Sequence, residues 1–422
     1  MYSIKFIRDN KNLVKDSLLK KNSDVNLDKI LEIDFKRRTL IQEVETLKAD
    51  RNSVNQDISL RKKEKKDCDS LINDMKNISV RIKALDNDLN EFNKSLNQKL
   101  MYLPNLVHTS VPEGSSENEN KVIKEWGEKP SFDFKVLSHL ELCESLNLVD
   151  FKRAAKISGS AFPLYLDQGA KLERSLINYM LNTHIDNHGY KEIFPPFLVT
   201  SNSPLTTGNL PKFKEDMYYI ENDDLYCIPT AEVPITNFYS NEVLSEDELP
   251  QKFVAYSACF RREAGSYGKE TKGLHRLHQF NKVELVKFCN PEDSYSELEN
   301  LLLDAEKILQ ELNLHYRVIE LCAGDLSFSA AKCYDIEVWS PFEEKYLEVS
   351  SCSNFESFQA QRGNIKYRNK SNGKLDFMHT LNGSGLATPR LMIALLETYQ
   401  TKDGCVSVPE PISSYFGKDI ID

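Results

Sequence analysis

The stretch "FVAYSACFRREAGSYGKETKGLHRLHQFNKVELV", Phe253 to Val286, decides the architecture of most of the chain. Its opening run, "FVAYSACFRR", reads as a strand, and its closing run, "HQFNKVELV", reads as a second. Between them Arg261, Arg262 and Glu263 lead into a loop with Gly265, Gly268 and Gly273, which closes on Arg276, His278, Gln279 and Phe280. Two strands joined by one long hairpin imply an antiparallel sheet. The loop suits a bound polyanion that carries a flat ring. The Arg261 guanidinium is placed to fork onto a phosphate, Glu263 to accept from an exocyclic amine, and Phe280 to stack on a base, with Arg276 just before it. A basic surface hairpin with a core phenylalanine would carry the same residues, so spacing alone leaves both readings open.

Strand-like runs continue on either side: "YKEIFPPFLV", "MYYIEN", "LYCIPT", "YRVIELC", "CYDIEVWSP" and "KYLEVSSCS". Three segments repeat with a helical period: Gly169 to Gly189, "SELENLLLDAEKILQELNL" and "PRLMIALLETYQ". Hairpin-joined strands with separate helices predict an α+β fold, an antiparallel sheet flanked by helices. No GxGxxG follows a first strand and no GxxxxGK[ST] occurs, so the common parallel-sheet phosphate loops are absent.

The N-terminal quarter is different. No proline precedes Pro104 and no glycine precedes Gly114, although the chain holds 16 of each. Leu71, Met75, Ile78, Ile82, Leu85, Leu89, Phe92 and Leu96 follow alternating steps of four and three, a heptad seam. A weaker seam runs through Ile33, Leu40, Val44, Leu47, Val54 and Ile58, with Arg37 and Arg51 at intervening positions. The two are separated by "LRKKEKKDCDS", Leu60 to Ser70. An antiparallel helical hairpin follows, reaching roughly 50 Å at about 1.5 Å per residue. Arg61, Lys62, Lys63, Lys65 and Lys66 cluster where it must turn. Five cations at the end of a lever suit a phosphate backbone, whereas an inert spacer would carry a charge run simply as a solvated face. Residues 105–130 are polar and turn-rich and read as a linker. The expected domains are therefore an arm at 1–104, the linker, and a second domain at 131–422.

Composition narrows the class. The 422 residues are 40% hydrophobic and 28% charged, enough for two or three cored domains. No run of about 18 apolar residues predicts a membrane span, and "MYSIKFIRDN" lacks the apolar region of a secretory signal. Nine scattered cysteines without a CxxC pair predict reduced thiols and no zinc site, in a cytoplasmic protein. The net charge of −10 argues against nucleic-acid binding by the surface as a whole, though local patches can overrule the sum.

Three further constellations carry chemistry. In "GSGLATPRLMIALLETYQ", Pro389 fits the first turn of a helix, which sets Arg390 at its positive end with Ser384 just before it, an arrangement that favours phosphate. In "YLEVSSCSNFESFQAQR", simple alternation puts Glu348 and Ser350 on one strand face and Val349 and Ser351 on the other. A strand carboxylate with hydroxyls nearby can hold Mg²⁺ or serve an ordinary hydrogen-bonding role. In "IPTAEVPITN", Thr230 and Glu232 flank Ala231. Glu284 lies inside the apolar run "KVELV", where a carboxylate is costly unless paired. Such carboxylates beside a hydroxyl suit a ligand ammonium or a structural ion pair.

Taken in order, these motifs resemble the seryl-tRNA synthetase family, of the bacterial type, over essentially the whole chain. "GYKEIFPPFLV" is similar to the family's motif 1, "FRREAG…GLHRLHQFNKVELV" to motif 2, "NGSGLATPR" to motif 3 and "PTAEVP" to its Thr-Ala-Glu loop. The helical hairpin is similar to its tRNA-binding arm. The resemblance implies a class II synthetase catalytic domain, a homodimer, and a two-step reaction. Serine and ATP, with Mg²⁺, give seryl-adenylate and pyrophosphate, and the seryl group then passes to the 3′-terminal ribose of tRNA(Ser), or of tRNA(Sec) where that exists. Arg261, Arg262, Glu263, Arg276, Phe280 and Arg390 would bind ATP, as would Glu348, Val349, Ser350 and Ser351. Of these, Arg261 takes the α-phosphate, Arg390 the γ-phosphate, and Glu348 and Ser351 the metal-bound phosphates. Thr230, Ala231, Glu232, Glu284, Asn382 and Ser384 would surround serine, and no protein nucleophile is required. Arg262 and Gln361 depart from the family's usual residues. A non-catalytic relative that binds RNA or a protein would be expected to have lost Arg261, Glu348 or Arg390, and all three are present.

Overall fold

The computed structural model describes residues 2–263 and 272–422. Gly265 and Gly268 lie outside the described residues. By internal contact density the chain divides into two units, Met1–Leu19 with Ser23–Leu103, and Lys20–Asn22 with Pro104–Asp422.

The first unit is helical: α1 (Ile4–Asp9), α2 (Lys11–Lys20), α3 (Leu27–Lys63) and α4 (Asp69–Met101). Asn26 starts α3 by accepting from the Lys29 amide at 3.0 Å, which satisfies one of the orphan donors of the first turn. α3 and α4 pack antiparallel along the expected seams. Val44 and Ile58 are buried on α3, and Ile82, Leu85 and Leu96 on α4, while Arg37 and Arg51 are half-buried in the same stripe. Lys65, in the left-handed region at φ 53°, sits in the turn between them. Arg61, Lys62, Lys63, Lys65 and Lys66 are exposed there, and Lys66 pairs with Glu64 at 2.7 Å. Near the other end Asp34 is fully buried and held by Arg8 at 2.7 Å and Arg38 at 3.1 Å.

The second unit is built on an eight-stranded sheet: β1 (Lys121–Trp126), β2 (Lys191–Glu192), β3 (Gln251–Phe260), β4 (Gln279–Cys289), β5 (Tyr316–Glu320), β6 (Lys332–Ser340), β7 (Lys345–Asn354) and β8 (His379–Ala387). Their order across the sheet is β1-β5-β6-β7-β8-β4-β3-β2. Every pairing is antiparallel except β2 with β3. Helices Asp167–Asp186, Ser294–Glu311 and Thr388–Tyr399 pack their apolar stripes onto it, and Leu172, Leu176, Leu298, Leu301, Leu391 and Leu395 join Val283 and Leu285 in one core. β4 is buried along nearly its whole length, so its charged residues need partners: Lys282 pairs with Glu284, and Lys287 with Glu297 at 2.9 Å.

Three expectations are corrected. The polar segment 105–130 is more than a linker, since β1 within it forms the sheet edge against β5; an edge strand needs little apolar surface. "YKEIFPPFLV" is not one strand, because Pro195 and Pro196 remove ladder donors and leave only Lys191–Glu192 and Leu198–Thr200 paired. On β7 the simple alternation fails. Ile336 pairs with Ser350 and Glu337 with Glu348, so Val349 is an extra residue, a bulge.

Candidate active site

The hairpin β3–β4 and the start of the Thr388–Tyr399 helix enclose a cavity of about 860 Å³. Because Glu284 sits at the centre of β4, opposite Ala255 on one side and Ser384 on the other, the sheet carries its side chain into this cavity. Glu284 is completely buried. The Thr230 hydroxyl donates to its Oε2, the Lys282 ammonium contacts the same oxygen, and Asn382 Nδ2 donates to Oε1 at 3.4 Å. Thr230 Oγ1 in turn accepts from the Glu232 amide at 3.1 Å. Glu232 opens the short helix Glu232–Thr236 and faces the same space. Burial, and then the nearby Glu284 carboxylate, push its carboxyl up to about 7; Gln359, Lys282 and Arg261 oppose the shift. Two acids and one lysine in so small a volume are a place where an incoming ammonium is welcome.

The second half of the cavity is cationic. Arg261 leaves the end of β3 with its guanidinium 5.2 Å from the centre of the Phe280 ring and its Nε donating to Pro229 O at 3.3 Å. A cation and a ring are thus presented side by side, suited to a phosphate and a base. Arg276 donates to Glu263 Oε2 at 3.0 Å across the two ends of the loop. Gly273 has φ 65°, and a Cβ there would lie 2.4 Å from His139 Nε2, which explains that glycine. Arg390 stands in the first turn of its helix. Its Nη1 donates to Glu348 O at 2.8 Å and its Nε to His275 O at 3.4 Å, so it is held before any ligand arrives.

The bulge at Val349 sets Glu348 and Ser351 together on the cavity wall. Ser350 turns inward instead, is 1% exposed, and donates to Ser384 O at 2.7 Å. Opposite Ser351 on β6 stands Asp335, whose carboxyl is pushed up to about 8 by burial and then by Glu348. That crowding of negative charge is what a cation would relieve, and an all-oxygen donor set fits a hard ion such as Mg²⁺. Among the described residues no group of three or more His, Cys, Asp or Glu is placed to hold a metal ion.

Of the residues singled out from sequence, Thr230, Glu232, Glu284, Asn382 and Ser384 line one cavity with Arg261, Glu263, Arg276, Phe280, Glu348, Val349, Ser351 and Arg390. Ala231 is buried in the core beneath it, and Arg262 lies with its guanidinium 5.1 Å from the Tyr218 ring centre. Sequence reasoning missed Lys282, Gln359 and Asp335. Lys282 was detectable, since it lies two residues from Glu284 on the same strand face. Asp335 and Gln359 carry no local signal; each meets the site through pairings distant in the chain.

Comparison with known proteins agrees with this geometry. Residues 213–399, which hold most of the cavity, match the tRNA synthetase class II core domain (G, H, P, S and T), and residues 1–107 match the seryl-tRNA synthetase N-terminal domain. The protein is therefore a class II aminoacyl-tRNA synthetase by its core. It is 53% identical over 426 residues to a serine–tRNA ligase of Chloroherpeton thalassium and 54% identical over 421 residues to one of Caldicellulosiruptor saccharolyticus, with 100% of each chain covered. The solved seryl-tRNA synthetase of Pyrococcus horikoshii complexed with ATP superposes with a TM-score of 0.94 at 38% identity, over 100% of this chain and 99% of that one. The chain belongs to the seryl-tRNA synthetase family.

Proposed function

We propose that this chain joins serine to tRNA(Ser) in two ATP-dependent steps within the cavity at β3–β4. The observation that carries the reading is the side-by-side placement of two halves. Buried Glu232 and Glu284 suit an amino acid, and Arg261 and Arg390 suit a triphosphate. Glu232 receives the serine ammonium, and Glu284 accepts from its hydroxyl with Thr230 and Asn382 alongside. Arg261 holds the α-phosphate against the serine carboxylate while Phe280 stacks on the base; Glu263 meets the base's exocyclic amine and Arg390 grips the γ-phosphate. A serine carboxylate oxygen attacks the α-phosphorus, the bond to the bridging oxygen breaks, and pyrophosphate leaves with the released electron pair. The 3′-terminal ribose hydroxyl of the tRNA then attacks the seryl carbonyl and AMP departs. Positioning and charge neutralisation suffice, and no side chain forms a bond to substrate.

Glu348 and Ser351, with Asp335 behind them, would hold Mg²⁺, which supplies charge neutralisation on the phosphates. Residues 1–104 act as the arm that holds tRNA, with the exposed cations from Arg61 to Lys66 on its phosphates. The catalytic domain takes in β1 and so begins before residue 121; the working form is a cytoplasmic homodimer, and tRNA(Sec) is a second substrate where it is present. The candidate cavity retains Arg261, Glu348 and Arg390 together, which favours catalysis over a binding-only role. ATP–pyrophosphate exchange with each amino acid in turn tests the reading. Exchange should require serine. Exchange driven equally by an amino acid lacking a side-chain hydroxyl would overturn it.

A further inference from the structure

Gln359 was predicted for no role, yet it contacts the carboxylate that matters most for amino-acid charge. It lies on the short helix Phe358–Gly363 and is completely buried. Its Nε2 donates to Glu232 Oε1 at 2.7 Å, and the same nitrogen lies 3.4 Å from Thr207 O. Its Oε1 accepts from Thr380 Oγ1 at 2.7 Å, and Thr380, on β8, is also completely buried. Three separate elements therefore meet on one amide. The Thr207 carbonyl and the Glu232 carboxylate settle which way that amide faces, because two acceptors there require the NH₂ and leave the carbonyl oxygen to accept from the Thr380 hydroxyl.

An amide donor aimed at a buried carboxylate favours its ionised form. Glu232 needs that support. Glu284, on β4, faces it with like charge; Lys282 on β4 and Arg261 at the end of β3 face it with opposite charge, and burial opposes ionisation most of all. Lys282 is already committed to Glu284, which leaves Gln359 as the hydrogen-bond donor directed at Oε1.

We propose that Gln359, held by Thr380, is a positioning residue that holds Glu232 ionised and aimed into the cavity, and so sets both the affinity for the amino-acid ammonium and the pH at which that affinity develops. The inference rests on the reading of Glu232 as the ammonium ligand. Gln359 touches neither substrate; it acts through Glu232.

The test is ATP–pyrophosphate exchange by the full chain from pH 6 to pH 9, varying serine and ATP separately. Gln359→Met keeps the side-chain length and removes the donor. It should raise KM for serine about tenfold at pH 7 while KM for ATP and kcat at saturating serine stay within about threefold. The acid limb of kcat/KM for serine should move up by about one pH unit, so that the defect shrinks by pH 9. Thr380→Val should shift both in the same direction by less, and it carries the test alone if Gln359→Met does not fold. Wild-type serine KM and an unshifted acid limb in the folded variants would overturn the proposal, as would an equal loss of kcat at every pH. Glu232→Gln separates the two levels. If it leaves serine KM unchanged, the ammonium-ligand reading falls and takes the proposal with it. If it raises serine KM strongly while Gln359→Met does not, only the role of Gln359 falls.

Discussion

Discrimination between serine and alanine should be strong but bounded, and the bound follows from the partners of Glu284. A carboxylate offers about four acceptor positions. Thr230 and Lys282 occupy two on Oε2, and Asn382 makes a long contact to Oε1. One good position remains for the serine hydroxyl. When alanine binds, that position on a fully buried carboxylate loses its donor, at a cost of about 1.5–3 kcal/mol for a hydrogen bond to a charged group. The carboxylate is not stranded, because three neighbours remain. Rejection of alanine by this contact is therefore about 10- to 150-fold, below the roughly 10⁴-fold reached where a buried polar group is left wholly unpaired. Threonine differs by one methyl against the wall, worth about 1–3 kcal/mol, and should be excluded less well than alanine. In Glu284→Gln the hydrogen bond becomes neutral, which removes about 1 kcal/mol of preference and lowers the serine-to-alanine ratio of kcat/KM by about fivefold. Exchange kinetics with serine, alanine and threonine on both proteins measure this. An unchanged ratio in Glu284→Gln, or alanine activated more readily than threonine by the wild type, would refute the reasoning.

Arg261→Ala should reduce kcat of serine-dependent exchange by about 10²–10³-fold, since a preorganised donor to developing phosphate charge is lost; near wild-type turnover would remove Arg261 from the α-phosphate. Replacing Lys62, Lys63, Lys65 and Lys66 with Gln should raise KM for tRNA and flatten its salt dependence by about 0.7–0.9 per lost contact. Lys66 contributes least because Glu64 already pairs with it, and exchange without tRNA should be unaffected. Gly169→Ala should lower the melting temperature by several degrees, because its Cβ would lie 2.1 Å from Leu148 O and the helix must shift. Glu232 binds its proton more tightly folded than unfolded, so its contribution to stability is full below about pH 4.5 and is lost as pH rises through about 7. The ligand-free protein should therefore lose melting temperature over that window, and Glu232→Gln should flatten the loss.

What could be read from the chain alone follows from how local each signal is. The seam from Leu71 to Leu96 is a helical repeat visible within one segment, and those residues are the less exposed stripe of α4. The β3–β4 hairpin announced itself because both strands flank a single loop. The bulge at Val349 was hidden, since a register shift depends on the partner strand β6 and not on β7 alone. It puts Ser351 beside Glu348 at the cavity wall, where strand alternation alone puts Ser350; only the family resemblance pairs Glu348 with Ser351. β1 was hidden because Lys121, Lys124 and Glu125 suit an edge strand and a polar linker equally well. Gln359 was hidden because its partners, Glu232 and Thr380, come from distant parts of the chain.

The central claim is that one cavity couples serine, ATP and tRNA, and aminoacylation tests it most directly. Purified full-length chain should be incubated with ATP, Mg²⁺, a tRNA(Ser) transcript and labelled serine, with a tRNA(Ala) transcript and labelled alanine as the parallel reaction. The account predicts serine attached to tRNA(Ser), release of AMP, and no charging of tRNA(Ala). Failure to charge tRNA(Ser) by a protein that is folded and binds ATP would contradict it.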